Sequence, residues 1–139
     1  MRYLLDTNVV SELRKPERRA DPAVRSWVAS RAPSDLCLSA ITVLEVEVGI
    51  RGLERRDRAQ ASRLQTWLEE GLLGAFAGRI LPVDVSVARR AAQLHTPDPR
   101  PERDALIAAT AAVHALTVVT RNVKDFEALD VAIIDPWAS

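Results

Sequence analysis

Short apolar runs closed by turn residues alternate along this chain with longer stretches whose apolar positions recur at helical spacing. Residues 3–5 read as a first strand. Val9, Val10 and Leu13 then fall on one helical face, and Pro16 ends that helix. Asp21-Pro22 is an N-cap followed by proline at the first helical position, opening a helix that carries Val24, Trp27 and Val28. Pro33-Ser34-Asp35 is a turn, and Leu36 to Ala40 a second strand. Thr42-Val43-Leu44-Glu45 matches the capping box, so a helix is expected to start at Thr42 and run through Val46 and Val48 to Gly52. Leu53 to Leu73 reads as one long helical stretch, which Gly71, Gly74 and Gly78 break. Arg79 to Val83 is a third strand, and Ser86 can cap a helix reaching about His95. After the proline-rich loop from Thr96 to Pro101, Pro101-Glu102-Arg103-Asp104 starts a strongly apolar helix, Ala105 to Ala115. Thr117 to Thr120 is a fourth strand, Asn122 caps a short helix, and Val131 to Ile134 is a last strand ended by Asp135-Pro136.

Strands that alternate with helices imply an α/β fold, three layers α/β/α, with helices on both faces of a central, mainly parallel sheet of about four or five strands. The 139 residues form one expected domain, 1–139, with no internal repeat or low-complexity tract. A hydrophobic content of 47% excludes disorder as the default. The 19 basic and 19 acidic residues cancel, so any nucleic-acid contact must come from local asymmetry. Arg51, Arg55, Arg56, Arg58 and Arg63 supply one such region, read either as a solvated helix face or as an edge touching phosphates. Cys37 is the only cysteine, which excludes an intramolecular disulfide, and its apolar neighbours make it a small core residue. No apolar run reaches the length of a membrane span and the first residues lack a signal-peptide layout, so the expected compartment is cytoplasmic.

Asp6 changes the picture. An apolar strand arrives at an acid followed at once by Thr7 and Asn8, and burying a strand does not require a carboxylate there. In open α/β sheets, ligands bind at the carboxyl ends of strands, where strand order reverses. If the fourth strand pairs beside the first, four helix beginnings converge on that edge and bring Glu45, Asp104, Asn122 and Asp125 towards Asp6. Each has a plainer reading: Glu45 as a capping-box acid, Asp104 as an acid favoured by the helix macrodipole, Asp125 as a solvated surface residue. Taken together, the carboxylates repel one another unless a hard cation lies between them. Mg²⁺ suits oxygen donors and retains several waters, and the lone cysteine and unpaired His95 and His114 leave little basis for a zinc site.

The residues resemble those of the PIN-domain ribonucleases, in particular the VapC toxins of VapBC toxin–antitoxin modules and their FitB-like branch. The matching text is Leu4-Leu-Asp-Thr-Asn-Val-Val-Ser-Glu12, Leu38-Ser-Ala-Ile-Thr-Val-Leu-Glu45 with Gly49, and Phe76-Ala-Gly-Arg-Ile-Leu-Pro82. It continues with Asp104-Ala-Leu-Ile-Ala-Ala-Thr-Ala111 and Thr117-Val-Val-Thr-Arg-Asn122 with Asp125-Phe126. The resemblance implies a Mg²⁺-dependent endoribonuclease, Mn²⁺ being a possible substitute, with Asp6 and Asp104 as direct metal ligands and Glu45 beside them. Thr7, Asn8 and Thr120 fall where the family places supporting polar groups. The fourth acidic position falls to Asn122 or to Asp125, one turn on. The implied partners are RNA as substrate, a cognate VapB-type antitoxin, operator DNA through that antitoxin, and a second copy in a homodimer within a larger complex. Two rival readings stand beside this one: an inert PIN-like binding module, and a phosphotransferase using Asp6 as nucleophile. The second lacks the usual acid two residues on, where this chain has Asn8.

Overall fold

The structure, a computed structural model, describes residues 1–138; Ser139, the end of the expected domain, lies outside the described residues. Five parallel strands run in the order β3-β2-β1-β4-β5. They are β1 (Tyr3–Leu5), β2 (Leu36–Ser39), β3 (Ile80–Leu81), β4 (Thr117–Val119) and β5 (Ile133–Ile134). β1 sits at the centre, with Leu4 opposite Cys37 on one side and Val118 on the other. The chain adds β2 and β3 to one flank of β1, then crosses to add β4 and β5 to the other. The reversal point therefore lies between β1 and β4, as the alternation of elements implies.

Side-chain alternation along the strands builds two separate cores. Leu4, Cys37 and Val118 face one layer, where α7 (Glu102–Val113) supplies Ile107, Ala108 and Ala111 and α8 (Val123–Glu127) supplies Phe126. Their neighbours Leu5, Leu36, Leu38 and Val119 face the other layer. There α1 (Thr7–Arg14) contributes Val9 and Val10, α2 (Pro22–Ala29) contributes Val24, and α4 (Arg58–Thr66) contributes Ala61. Small residues let α7 lie close to α6 (Val85–Leu94), where Ala109 meets Val87 and Ala91. Phe126 is wholly buried, so truncating it to alanine costs about 3–5 kcal/mol.

Several element boundaries differ from those the sequence suggests. The helix expected to begin at Thr42 is α3 (Ala40–Leu53), capped by Ser39, whose hydroxyl accepts from the Ile41 amide. Thr42 and Glu45 therefore lie inside the helix and form no capping box. The stretch from Leu53 to Leu73 is broken by a turn, because Asp57 accepts from the Gln60 amide and starts α4 afresh. α4 then runs through a π-helical turn, Trp67–Leu72, into α5 (Leu73–Ala75). Gly71 and Gly74 sit within that helical run, and only Gly78, at φ 80°, makes the left-handed turn into β3. Asp84, not Ser86, caps α6, accepting from the Val87 amide. α7 begins at Glu102, within the expected Pro101-to-Asp104 start, and Asn122 occupies the cap position of α8 without a capping side-chain bond. β3 and β5 have two residues each, shorter than the apolar runs containing them.

Candidate functional site

Asp6 leaves β1 at the carboxyl edge of the sheet, only 5% exposed. Its Oδ1 caps α1, accepting from the Thr7 amide at 2.8 Å. Its Oδ2 accepts from the Thr120 hydroxyl at 2.8 Å and from the Asn8 side-chain amide at 3.3 Å. The Asn8 amide also donates to Thr120 Oγ1 at 3.2 Å, and Asn8 Oδ1 accepts from the Arg121 backbone amide at 3.3 Å. The Asn122 amide donates to Thr120 Oγ1 at 2.9 Å. The side chains thus continue the pairing of β1 and β4 beyond the last strand bond, Asp6 N–H to Val119 C=O at 2.9 Å. Thr7, Asn8 and Thr120 form the polar collar that the sequence suggests. With one hydrogen bond on Oδ1, that oxygen keeps acceptor capacity for a further ligand.

Glu45 reaches the same edge from the second turn of α3. Thr7 donates its hydroxyl to Glu45 Oε1 at 2.7 Å, while Arg103 Nη1 stands 3.9 Å from Glu45 Oε2. Asp104 lies in the first turn of α7, half-buried. Burial, then the charges of Asp6, Asp125 and Glu45, push its carboxyl up to about 6. The Asp6 carboxyl is raised as well. Burial is the main cause and the charges of Glu45 and Asp125 add to it, against the hydrogen bonds from Thr120 and Thr7. Asp125 is exposed in the first turn of α8, yet its charge reaches both Asp6 and Asp104. Asn122 lines the groove itself.

Asp6, Thr7, Asn8, Glu45, Asp104 and Asn122 surround an open groove of about 390 Å³. Ser11, Glu12 and Lys15 complete its wall and do not feature in the sequence-based site. A signal for two of them exists, since Thr7, Ser11 and Lys15 are spaced four apart along one face of the first helix. Glu12 is buried but satisfied, accepting from Lys15 Nζ at 2.9 Å and the Asp21 amide at 2.8 Å. Those two hydrogen bonds hold its carboxyl below the usual range.

The donors facing the groove are carboxylate, hydroxyl and amide oxygens, the set a hard divalent cation takes. Among the described residues, no three His, Cys, Asp or Glu side chains gather closely enough to enclose an ion. The residues fit a cation held by one or two carboxylates that keeps much of its water, the usual state of Mg²⁺. The arginine-rich region stands apart from these acids. Arg51, Arg55 and Arg58 line a separate cleft of about 510 Å³, and Arg51 pairs with Glu54 at 2.9 Å. Cys37 is a core thiol that burial pushes up to about 11. No helix among the described residues is long and apolar enough to cross a membrane.

An all-parallel sheet with mutually repelling acids at its reversal point defines an α/β protein with an acidic groove. The PIN domain family model matches residues 3–132. Toxin FitB of Neisseria gonorrhoeae is 41% identical over 139 residues, spanning 96% of this chain and 97% of that protein. VapC ribonuclease Y4jK of Sinorhizobium fredii is 40% identical, spanning 96% of each. The solved structure of FitAB bound to the IR36 DNA fragment superimposes with a TM-score of 0.85 at 39% identity, covering 97% of this chain and 95% of that one. The chain belongs to the PIN domain family.

Proposed function

We propose that this protein is the ribonuclease toxin of a toxin–antitoxin pair, a Mg²⁺-dependent endonuclease that hydrolyses RNA phosphodiester bonds, with Mn²⁺ able to replace Mg²⁺. The observation that carries this reading is the convergence of Asp6, Glu45 and Asp104 on one groove, where burial and mutual repulsion raise the Asp6 and Asp104 carboxyls. The likeness to a VapC ribonuclease supplies the substrate class, RNA. The likeness to Toxin FitB and to a DNA-bound FitAB complex supplies the biological setting. In that setting a VapB-type antitoxin silences the toxin and carries the contact with operator DNA. The toxin acts as a homodimer within the larger complex.

Asp6 and Asp104 would hold the cation. When bound, Mg²⁺ offers Lewis acidity to the scissile phosphate and lowers the pKa of the attacking water. The chain's own residues do the positioning. Thr120, Asn8 and the Thr7 amide fix both oxygens of Asp6, so its charge meets the groove in one orientation. Thr7 steadies Glu45, which orients the attacking water through its carboxylate. Asn122 or Asp125 completes the far wall, one through a neutral amide and the other through charge.

The test uses purified protein and cellular RNA. New RNA ends should form with Mg²⁺ or Mn²⁺ and vanish with EDTA, and expression without an antitoxin should arrest growth. Absence of new ends with either cation at neutral pH would overturn the reading.

A further inference from the structure

The acidic groove presents RNA with a difficulty. Its floor carries Asp6, Glu45 and Asp104, with Asp125 close by, and a phosphate chain approaching it meets like charge wherever no cation intervenes. Three basic side chains bear on the groove, Lys15 from its wall, Arg103 beside Glu45 and Arg121 through a charge that reaches Glu12, and their commitments differ. Lys15 is bound to Glu12 at 2.9 Å. Arg103 leans 3.9 Å from Glu45. Among the described residues, Arg121 pairs with no carboxylate within salt-bridge distance.

Arg121 is nonetheless held in place. Its backbone amide donates to Asn8 Oδ1 at 3.3 Å, and its neighbours Thr120 and Asn122 are tied by the Thr120 hydroxyl to each other and to Asp6. Its guanidinium carbon lies 5.3 Å from the centroid of the Trp137 ring. Trp137 is itself anchored, its amide bonded to Asp135 Oδ1 at 2.9 Å and its ring packed against the core beneath α2. A guanidinium resting on an aromatic face keeps its edge N–H groups free, and that edge matches a phosphate bidentately. Its ordering is already supplied by the platform, so little conformational freedom is lost when a phosphate arrives.

We propose that Arg121, resting on Trp137, grips a backbone phosphate of the RNA strand at the mouth of the acidic groove and so positions the strand for cleavage. The inference rests on the ribonuclease reading, deepens it, and adds no group to the chemical step. Arg121 is a positioning residue, so its loss should appear in binding rather than in turnover.

The experiment measures binding of a fluorescent single-stranded RNA dodecamer in EDTA, where cutting is blocked, across a range of salt concentrations, alongside steady-state cleavage in Mg²⁺. Each phosphate neutralised on a single strand contributes about 0.7 to the slope of log affinity against log salt. Arg121→Gln should lower that slope by about 0.7 and raise KM about tenfold, the change expected for one charged hydrogen-bonding contact, with kcat within about threefold of the original. Arg121→Lys should keep the slope and recover only part of the KM, since it retains charge without the flat stacked fork. Trp137→Phe should behave like a weaker Arg121→Lys. Arg89→Gln, an exposed arginine on α6, controls for charge alone and should change neither quantity. An unchanged slope and KM in Arg121→Gln, with the original protein binding and cutting RNA, overturns this inference and leaves the ribonuclease reading intact. Loss of binding to a poly-glutamate peptide in Arg121→Gln, with RNA binding untouched, also overturns it and assigns the arginine to a protein partner. An original protein that neither binds nor cuts RNA removes both readings.

Discussion

Two buried carboxylates belong to α1, Asp6 as its cap and Glu12 within its last turn, and the protein treats them in opposite ways. Glu12 is 7% exposed and Asp6 is 5% exposed, so surface exposure does not separate them; lost solvation does, being the chief influence on Asp6 and a minor one on Glu12. Glu12 receives a cation and a backbone amide, Lys15 Nζ at 2.9 Å and Asp21 N at 2.8 Å, and its carboxyl is lowered. Asp6 is desolvated by burial, receives only neutral donors and faces other acids, and its carboxyl is raised. Lost solvation and counter-charge together separate the two acids. A structural acid is given its counter-charge by the fold, whereas Asp6 is oriented by the fold and left short of positive charge. Perturbed carboxyls in a groove of this kind mark a functional site.

The largest effect expected from that contrast is on cleavage. Asp6→Asn or Asp104→Asn removes a charge proposed to hold the cation and should slow RNA cutting roughly a thousandfold, the scale of losing several kcal/mol of transition-state stabilisation. Circular dichroism should show the same fold. A variant cutting at the original rate in Mg²⁺ would remove that residue from the site.

Glu12→Ala attacks the other member of the pair. It strands the buried Asp21 amide and frees Lys15, so urea unfolding should report a loss of about 1–3 kcal/mol, while the folded variant still cuts RNA. A variant as stable as the original would show that Glu12 is not a structural acid, and the contrast with Asp6 would fail.

How much of this was legible in the sequence depends on the range of the interaction involved. The parallel sheet and its functional edge followed from alternation and from Asp6, and the fourth strand beside the first was one of the few arrangements that parallel α/β topology leaves, while the full strand order was not legible. Asp6, Glu45 and Asp104 could be gathered on paper because each sits near a helix beginning at that edge. The reading of Glu45 as a capping acid failed for a local reason. Ser39 ends the buried strand and already satisfies the Ile41 amide, so the cap of α3 falls three residues before the Thr42 expected from the capping-box pattern. That shift releases Glu45 from the backbone and lets it reach Thr7. The clasp of Glu12 by Lys15 and Asp21 was only half visible, since the Glu–Lys spacing is local but the Asp21 amide returns across a turn. Arg121 on Trp137 had no sequence signal, because the two meet only once the C-terminal segment packs back against α2.

A smaller effect decides the fourth position. Asp125 adds charge that both Asp6 and Asp104 feel, while Asn122 lines the groove with a neutral side chain. Asp125→Ala should therefore slow cleavage about tenfold and more than Asn122→Ala does, since charge reaches a cation over a longer distance than an amide. The reverse ranking would place Asn122 at the metal and make Asp125 a surface acid.

The smallest effect, and the one that sets the two acids directly against each other, is the dependence of stability on pH without metal. Asp104 has a folded carboxyl raised from 3.8 to about 6, so its protonated form favours the folded state. That stability is fully present below 3.8 and disappears as pH rises through about 6. Partial exposure screens the interaction, leaving a change on the order of 1 kcal/mol. Glu12 runs the other way, because its folded carboxyl lies below 4.5; its stabilisation is present above that value and is lost as pH falls beneath it. Urea unfolding in EDTA should therefore show the original protein losing stability from about pH 4 to about pH 7, with Asp104→Asn losing less. Glu12→Gln should flatten only the acid side of the curve. Saturating Mg²⁺ should abolish the neutral-side loss, adding ~2.7 kcal/mol at one hundred times its Kd. Equal slopes for the original protein and Asp104→Asn, with no response to Mg²⁺, would mean that the acids do not share a field, and the groove would lose its claim to a cation.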